Sequence, residues 1–156
     1  MLIAIVSLLL ALVAGCGGGG DGSSSSTTVS KTWTGSKQAF VKKADAICSK
    51  NAKLIFQGVV KALYPAGING ANDSEKKEAV EKALVPGINT EIREIRALGF
   101  PSGQEDEVEA VLSSLEEELE RAQSEPTEFL LGQSSPFVDS KQAAEEYGFT
   151  ACGSVA

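Results

Sequence analysis

The chain has 156 residues, a formal net charge of −7 and no histidine. This length suits a single domain, and the acidic balance argues against nucleic acid as the main partner, since phosphate binding needs a basic face. The lack of histidine excludes a Ser-His-Asp triad, a Cys-His pair and an imidazole metal site.

The amino terminus is an apolar leader. Residues 2–14 are apolar apart from Ser7, a run of about 13 residues where a membrane-spanning helix needs roughly 20. The run therefore predicts a signal peptide over residues 1–15, not a permanent membrane span.

The leader ends in Leu12-Val13-Ala14-Gly15-Cys16, followed by four glycines. This sequence resembles the lipobox of bacterial lipoproteins. The resemblance implies that Val13, Ala14 and Gly15 are recognised for cleavage and that Cys16 becomes the first residue of the mature chain, carrying a diacylglycerol with acyl chains such as palmitate. Two acyl chains anchor a protein firmly, whereas one holds it only marginally.

A polar tether follows the lipobox. Residues 16–35 are rich in glycine, serine and threonine, a composition that buries too little apolar surface to fold. A coil of this kind spans on the order of 25 Å. Trp33 has two interpretations, packing on the edge of the folded domain or lying at the lipid interface.

Helical periodicity begins after the tether. Apolar residues spaced by three, four and seven predict a first helix over residues 37–64, with Ser36 as its N-cap and Pro65 and Gly67 as its stop. A second helix is expected from Asn72 or Asp73 onwards, kinked or broken before Pro86. Its apolar face continues in phase beyond the proline, along Val80, Leu84, Ile88, Ile92 and Ile95.

The third and fourth helices are expected in the last third of the chain. Ser102 and Glu105 have the spacing of a capping box, and a regular apolar stripe follows them until Pro126. After a turn at residues 132–136, a short helix is expected over residues 140–147, closed by Gly148. Residues 36–156 are therefore predicted to form an all-α domain, an irregular bundle of three long helices and one short C-terminal helix.

The cysteine count fits an exported protein if Cys16 is lipidated, because Cys48 and Cys152 then remain as a pair. Export permits a disulfide between them, which would fasten the end of the domain to its first helix. Buried free thiols and a redox-active pair are the alternatives, although neither cysteine has Cys-x-x-Cys spacing.

Charge is segregated along the chain. The first helix carries several lysines and one acidic residue. Residues 102–128 carry many acidic residues, and Arg121 is their only basic residue. We expect these two helices to lie side by side; a surface for a polyanion or partner is the functional alternative. We expect no metal site, because one helix rarely makes its carboxylates converge; the candidates on it are Glu109, Glu116 and Glu120.

Three further motifs carry a second resemblance: Phe40-x-x-Lys43-Ala44-Asp45-Ala46-Ile47-Cys48, Arg96-Ala97-Leu98-Gly99-x-Pro101-x-Gly103 and Tyr147-Gly148-Phe149-x-x-Cys152. Together they are similar to small uncharacterised helical lipoproteins of high-GC Gram-positive bacteria. The resemblance implies a helical domain closed by one disulfide and brings no activity, cofactor or catalytic residue with it.

We therefore expect a lipoprotein on the extracytoplasmic face of the cell membrane, anchored in the lipid bilayer through acylated Cys16. Its domain is expected to be a non-enzymatic interaction or binding module for an envelope protein or polymer, without a cofactor. The alternative is a receptor for a small ligand or cation, with a pocket between helices. The aromatic residues considered for that pocket are Tyr64, Phe100, Phe129, Phe137 and Tyr147.

Overall fold

A computed structural model describes residues 31–131 and 137–152, so the lipobox and the expected turn at residues 132–136 lie outside the described residues. The described chain is mostly helical, which confirms the all-α prediction. Its helices are α1 (Lys37–Ala62), α2 (Gly67–Gly70), α3 (Asp73–Ala79), a π-helix (Val80–Leu84), α4 (Val85–Leu98), α5 (Glu105–Ser124), α6 (Pro126–Leu131) and α7 (Val138–Tyr147). Two short strands are β1 (Thr32–Trp33) and β2 (Phe100–Pro101).

Helix α1 begins and ends close to the predicted positions. The hydroxyl of Ser36 accepts a hydrogen bond from the backbone N–H of Ala39, which confirms the N-cap. The helix ends at Ala62, just before Pro65. One face of α1 is buried, and Phe40 lies at the centre of the core, where its ring contacts those of Trp33, Phe100, Tyr147 and Phe149.

The second long helix is continuous from α3 to α4, and the interruption before Pro86 is a π-helical turn. Asn72 and Glu75 form the predicted capping box at its start. The backbone N–H of Val85 donates to the carbonyl of Val80, five residues earlier, and Pro86 follows in the first turn of α4. The wider turn thus precedes a residue that has no N–H of its own to donate.

The predicted capping box of Ser102 and Glu105 is wrong. Helix α5 begins at Glu105 itself, after Gln104, and no side chain caps it. Gly103 has a left-handed backbone (φ +78) that keeps Ser102 outside the helix. The side chain of Gln104 instead accepts a hydrogen bond from the hydroxyl of Tyr147, at 2.8 Å.

The helix pairing also differs from the expectation based on charge. Helix α1 packs on α4 and the π-helix, α5 packs on α7, and α4 contacts both α1 and α5. The first and third long helices are therefore not paired side by side. Helix α4 instead pairs with a few charged residues of each: Glu94 with Lys50 of α1, and Arg96 with Glu109 and Glu116 of α5.

Two connections close the domain at the N-terminal part of α1. Strand β1 pairs in parallel with β2, with Thr32 opposite Phe100 and Trp33 opposite Pro101. Trp33 thus packs on the domain, within the segment that composition assigned to the tether. At the other end of the chain, Cys48 and Cys152 form the predicted disulfide.

Candidate functional site

The exposed face of α1 and the turn after it combine lysines with exposed apolar side chains. We call this region the α1 surface. It is built on a helix whose opposite face is buried in the core, so its side chains are held on a rigid element. It comprises Lys42, Lys43, Lys53, Leu54, Phe56, Val60, Lys61 and Tyr64, all of them exposed.

The charge of the α1 surface is positive. Asp45 is the only acidic residue of α1, and its carboxylate is occupied by the backbone N–H groups of Thr150 and Ala151, at 2.9 to 3.1 Å. Within residues 31–131 and 137–152, no carboxylate forms an ion pair with Lys53 or Lys61. These ammonium groups are therefore available to an anionic partner.

The last turns of the α1 surface are apolar. Phe56, Val60 and Tyr64 follow one another at intervals of four residues and are 56%, 49% and 81% exposed. Beside them, the end of α1 and helix α2 enclose a concave space of about 320 Å³, lined also by Leu63 and Ile68. Contiguous apolar surface of this kind marks interaction sites on soluble domains.

A second concave surface lies between α1 and α7. This α1–α7 groove has a volume of about 450 Å³ and is lined by Lys37, Lys42, Val41 and Tyr147, among others. The ammonium of Lys37 lies 4.0 Å from the centre of the Tyr147 ring. Burial, with a further contribution from Glu107, raises the pKa of Tyr147 to about 12, so its hydroxyl stays protonated.

The five aromatic residues considered for a pocket do not converge. Phe100 and Phe137 are buried in the core, and Phe129 packs edge-on against Phe137 with ring centres 5.1 Å apart. Tyr64 lines the concave space at the end of α1, whereas Tyr147 lines the α1–α7 groove. Of these five alternatives, Tyr64 and Tyr147 therefore line two separate concave surfaces.

The acidic face of α5 is partly neutralised by the protein itself. The guanidinium of Arg96 binds both Glu109 and Glu116, with 2.7 Å between Nη1 and Oε1 of Glu116. The hydrogen bond to Glu116 is the main cause that raises the pKa of Arg96. In the part of the chain that the structure describes, no cluster of acidic and cysteine side chains has the arrangement of a metal site.

Two buried carboxylates were missed by sequence reasoning. Burial, and then the nearby charge of Glu94, raises the pKa of Glu91 to about 7. Glu118 is 1% exposed and accepts a hydrogen bond from the backbone N–H of Asp139. A signal existed for Glu91, since it lies three residues after Ile88 and four before Ile95, both on the apolar face.

The predicted lipidation site, Cys16, and the recognition residues Val13, Ala14 and Gly15 lie outside the described residues. Among the helices that the structure does describe, none is both long and apolar enough to cross a membrane.

Comparison with family models, with curated proteins and with solved structures gives no match to this chain.

Proposed function

We propose that this chain is a lipoprotein held at the outer face of the cell membrane through Cys16, and that its helical domain is a non-enzymatic binding module. The observation that carries the second part is the α1 surface. It combines exposed apolar side chains with lysines that have no acidic partner among the described residues.

The anchoring part rests on the leader, the lipobox resemblance and the polar tether. The tether joins the domain at β1, next to the start of α1. Helix α1 has 26 residues, which at 1.5 Å per residue makes it about 39 Å long. The apolar end of the α1 surface thus lies a full helix length from the point of attachment, where it is not obstructed by the tether.

The intact mass of the full chain, purified from bacterial membranes, tests the anchoring. We expect a mature chain that begins at Cys16 and carries a diacylglyceryl group, and we expect Cys16→Ala to leave the leader uncleaved. A mature chain that begins elsewhere, or a Cys16 without lipid, would contradict the anchoring.

Amine labelling tests whether the α1 surface is covered in the envelope. Intact envelopes and the purified full chain are treated with the same lysine reagent, and labelling of each lysine is compared by mass spectrometry. We expect Lys53 and Lys61 to be less labelled in envelopes. Lys77 on α3 and Lys141 on α7 are exposed controls, and equal labelling of all four lysines in both samples would contradict a binding role for the α1 surface.

A second candidate function, small-ligand binding, is favoured by the α1–α7 groove. Its volume of about 450 Å³ is within the range of small-molecule sites. It combines Tyr147 with two lysines and with Asp45, whose carboxylate already accepts hydrogen bonds from Thr150 and Ala151. Benzoate carries the matching apolar ring and negative charge. Saturable benzoate binding that is lost in Lys42→Ala would support this function, and no binding at millimolar benzoate would contradict it.

A further inference from the structure

We propose that the partner of the α1 surface is the anionic lipid surface of the membrane itself, so that the domain lies with α1 along the bilayer. This inference rests on the proposed function in one respect: the lipid anchor keeps the domain close to the membrane. It goes further by naming the occupant of the α1 surface.

The first step concerns charge. Lys42, Lys43, Lys53 and Lys61 are distributed over the whole length of α1, and the single carboxylate of the helix, on Asp45, is engaged by Thr150 and Ala151. Although the whole chain has a net charge of −7, the exposed face of α1 is therefore predominantly positive. Juxtamembrane lysines of this kind are attracted to anionic headgroups.

The second step concerns the apolar side chains. Phe56, Val60 and Tyr64 occupy the same exposed face as Lys53 and Lys61. Interfacial helices bury such aromatic and aliphatic groups at the boundary of headgroups and acyl chains while lysines remain among the headgroups. The ring of Tyr64, 81% exposed, has both an apolar body and a polar hydroxyl, as is usual at this depth.

The third step concerns reach. Residues 16–30 separate the lipidation site from the described domain, and a chain of that length extends to about 50 Å at most. This is longer than α1, at about 39 Å. The tether therefore allows α1 to lie flat on the bilayer with either end above the anchor.

Other occupants fit less well. In a two-fold dimer through the α1 surface, each subunit would place Lys53 and Lys61 near the same positive face of its partner, where like charges repel. The acidic face of α5 in a second copy lacks the matching apolar groups, because no large hydrophobic residue of α5 is exposed. An anionic lipid surface supplies both the charge and the apolar layer.

Quenching of tryptophan by lipids with brominated acyl chains tests the inference. The full chain is purified from bacterial membranes and reconstituted in phosphatidylcholine vesicles, with or without phosphatidylglycerol. The chain has one tryptophan, Trp33, so Tyr64→Trp is made in a Trp33→Phe background. We expect strong quenching at residue 64 in the anionic vesicles and weak quenching in the neutral ones.

Gln123→Trp, exposed on α5, is the reporter on another face, and we expect its quenching to be weak in both vesicles. If Trp33→Phe does not fold, both reporters are made in the chain that keeps Trp33, and the quenching of Trp33 alone is subtracted from each. Equal quenching at residues 64 and 123 in anionic vesicles, or equal quenching at residue 64 in both kinds of vesicle, would overturn the inference.

Charge variants test the lysines directly. Each lysine near an anionic surface contributes about fivefold in affinity. The double variant Lys53→Gln with Lys61→Gln should therefore weaken binding of the domain to anionic vesicles by about twentyfold or more, and should remove the stronger quenching of residue 64 in those vesicles. The matched control is Lys77→Gln with Lys141→Gln, which changes the net charge equally and should leave the quenching intact. Loss of quenching in the control alone, or in neither variant, would overturn the role of these lysines.

The two proposals fail in distinguishable ways. The intact mass of the reconstituted chain shows whether Cys16 is lipidated, whatever the quenching. Suppose that Lys53 and Lys61 are protected from labelling in envelopes but residue 64 is not quenched in protein-free vesicles. That result would identify a protein partner and would overturn only the lipid inference. Crosslinked dimers through Lys53 or Lys61 in the vesicles would overturn it in favour of a second copy.

Discussion

The carboxylate of Glu118, on α5, accepts a hydrogen bond at 2.9 Å from the backbone N–H of Asp139, in the first turn of α7. Phe137 precedes α7 and offers no side-chain cap. The start of the last helix is therefore capped by a residue 21 positions earlier in the chain, where a negative charge also complements the helix dipole.

Removing this long-range cap should destabilise the domain. We expect Glu118→Ala to lower the free energy of unfolding by about 2 to 3 kcal/mol, because it leaves the partly buried N–H of Asp139 without its partner and opens a small cavity. Urea denaturation measures the change. Glu117→Ala is the neighbouring exposed control and should cost less than about 0.5 kcal/mol; equal effects of the two variants would show that the cap contributes little.

Glu91 should make stability fall as pH rises. Burial raises its pKa in the folded domain from 4.5 to about 7, so between these values the folded state binds more protons than the unfolded state. The free energy of unfolding then decreases through this window, by up to about 3 kcal/mol for this group.

The variant Glu91→Gln isolates that contribution. We expect it to unfold at higher urea concentration than the wild type at pH 8 and to lose part of the decrease between pH 4.5 and 7. Urea denaturation at several pH values measures both. The difference between variant and wild type should be small at pH 4; a difference that does not depend on pH would refute the assignment.

Gly99 should be needed for the β1–β2 pairing. It has φ +77, and a Cβ atom there would overlap the backbone carbonyl of Lys31. Gly103 has a similar φ of +78, but apart from its two chain neighbours no residue comes within 4 Å of its Cβ position. Gly99→Ala therefore has a steric cost in addition to backbone strain, which is severe at Gly99 because φ +77 with ψ 159 is a conformation essentially restricted to glycine.

Hydrogen exchange and urea denaturation separate these two effects. We expect Gly99→Ala to be clearly less stable than Gly103→Ala and to lose protection of the amides in β1. Equal stability of the two variants, with β1 still protected, would mean that the strand shifts away at no cost.

The disulfide should contribute a large share of the stability. Cys48 and Cys152 are separated by 104 residues, and closing a loop of that size in the unfolded chain is worth up to about 4.7 kcal/mol. We expect Cys48→Ser with Cys152→Ser to lower the free energy of unfolding by about 2 to 5 kcal/mol. Reductant should destabilise the wild type to a similar extent and leave the double variant unchanged, a comparison that separates loss of the bond from general effects of the reductant.

The local signals in the sequence predicted most of the helices. Ser36, Asn72 and Gly148 each act within a few residues along the chain, so a helix start or end can be recognised without knowing the tertiary structure. Cysteine count and export context were likewise enough to predict the pairing of Cys48 with Cys152.

The features that were missed depend on residues far apart in sequence. The side chain of Gln104, at the start of α5, accepts a hydrogen bond from Tyr147 and does not cap the helix. Strands of two residues are too short to produce an alternating pattern. The apolar end of the α1 surface had a signal that was not used. Phe56 and Val60 fall outside the periodic stripe of the first helix, and apolar residues off the buried face are the ones that remain exposed.

The pairing of Cys48 with Cys152 also simplifies how the chain is oxidised. The sequence has three cysteines. If Cys16 carries the proposed thioether-linked lipid, the remaining two thiols can form only one intramolecular bond. No wrong pairing is available for an isomerase to correct, and no third thiol remains in the chain to shuffle the finished bond. Because Cys152 lies 104 residues after Cys48, the bond can close only after the whole of α1 to α7 has been synthesised.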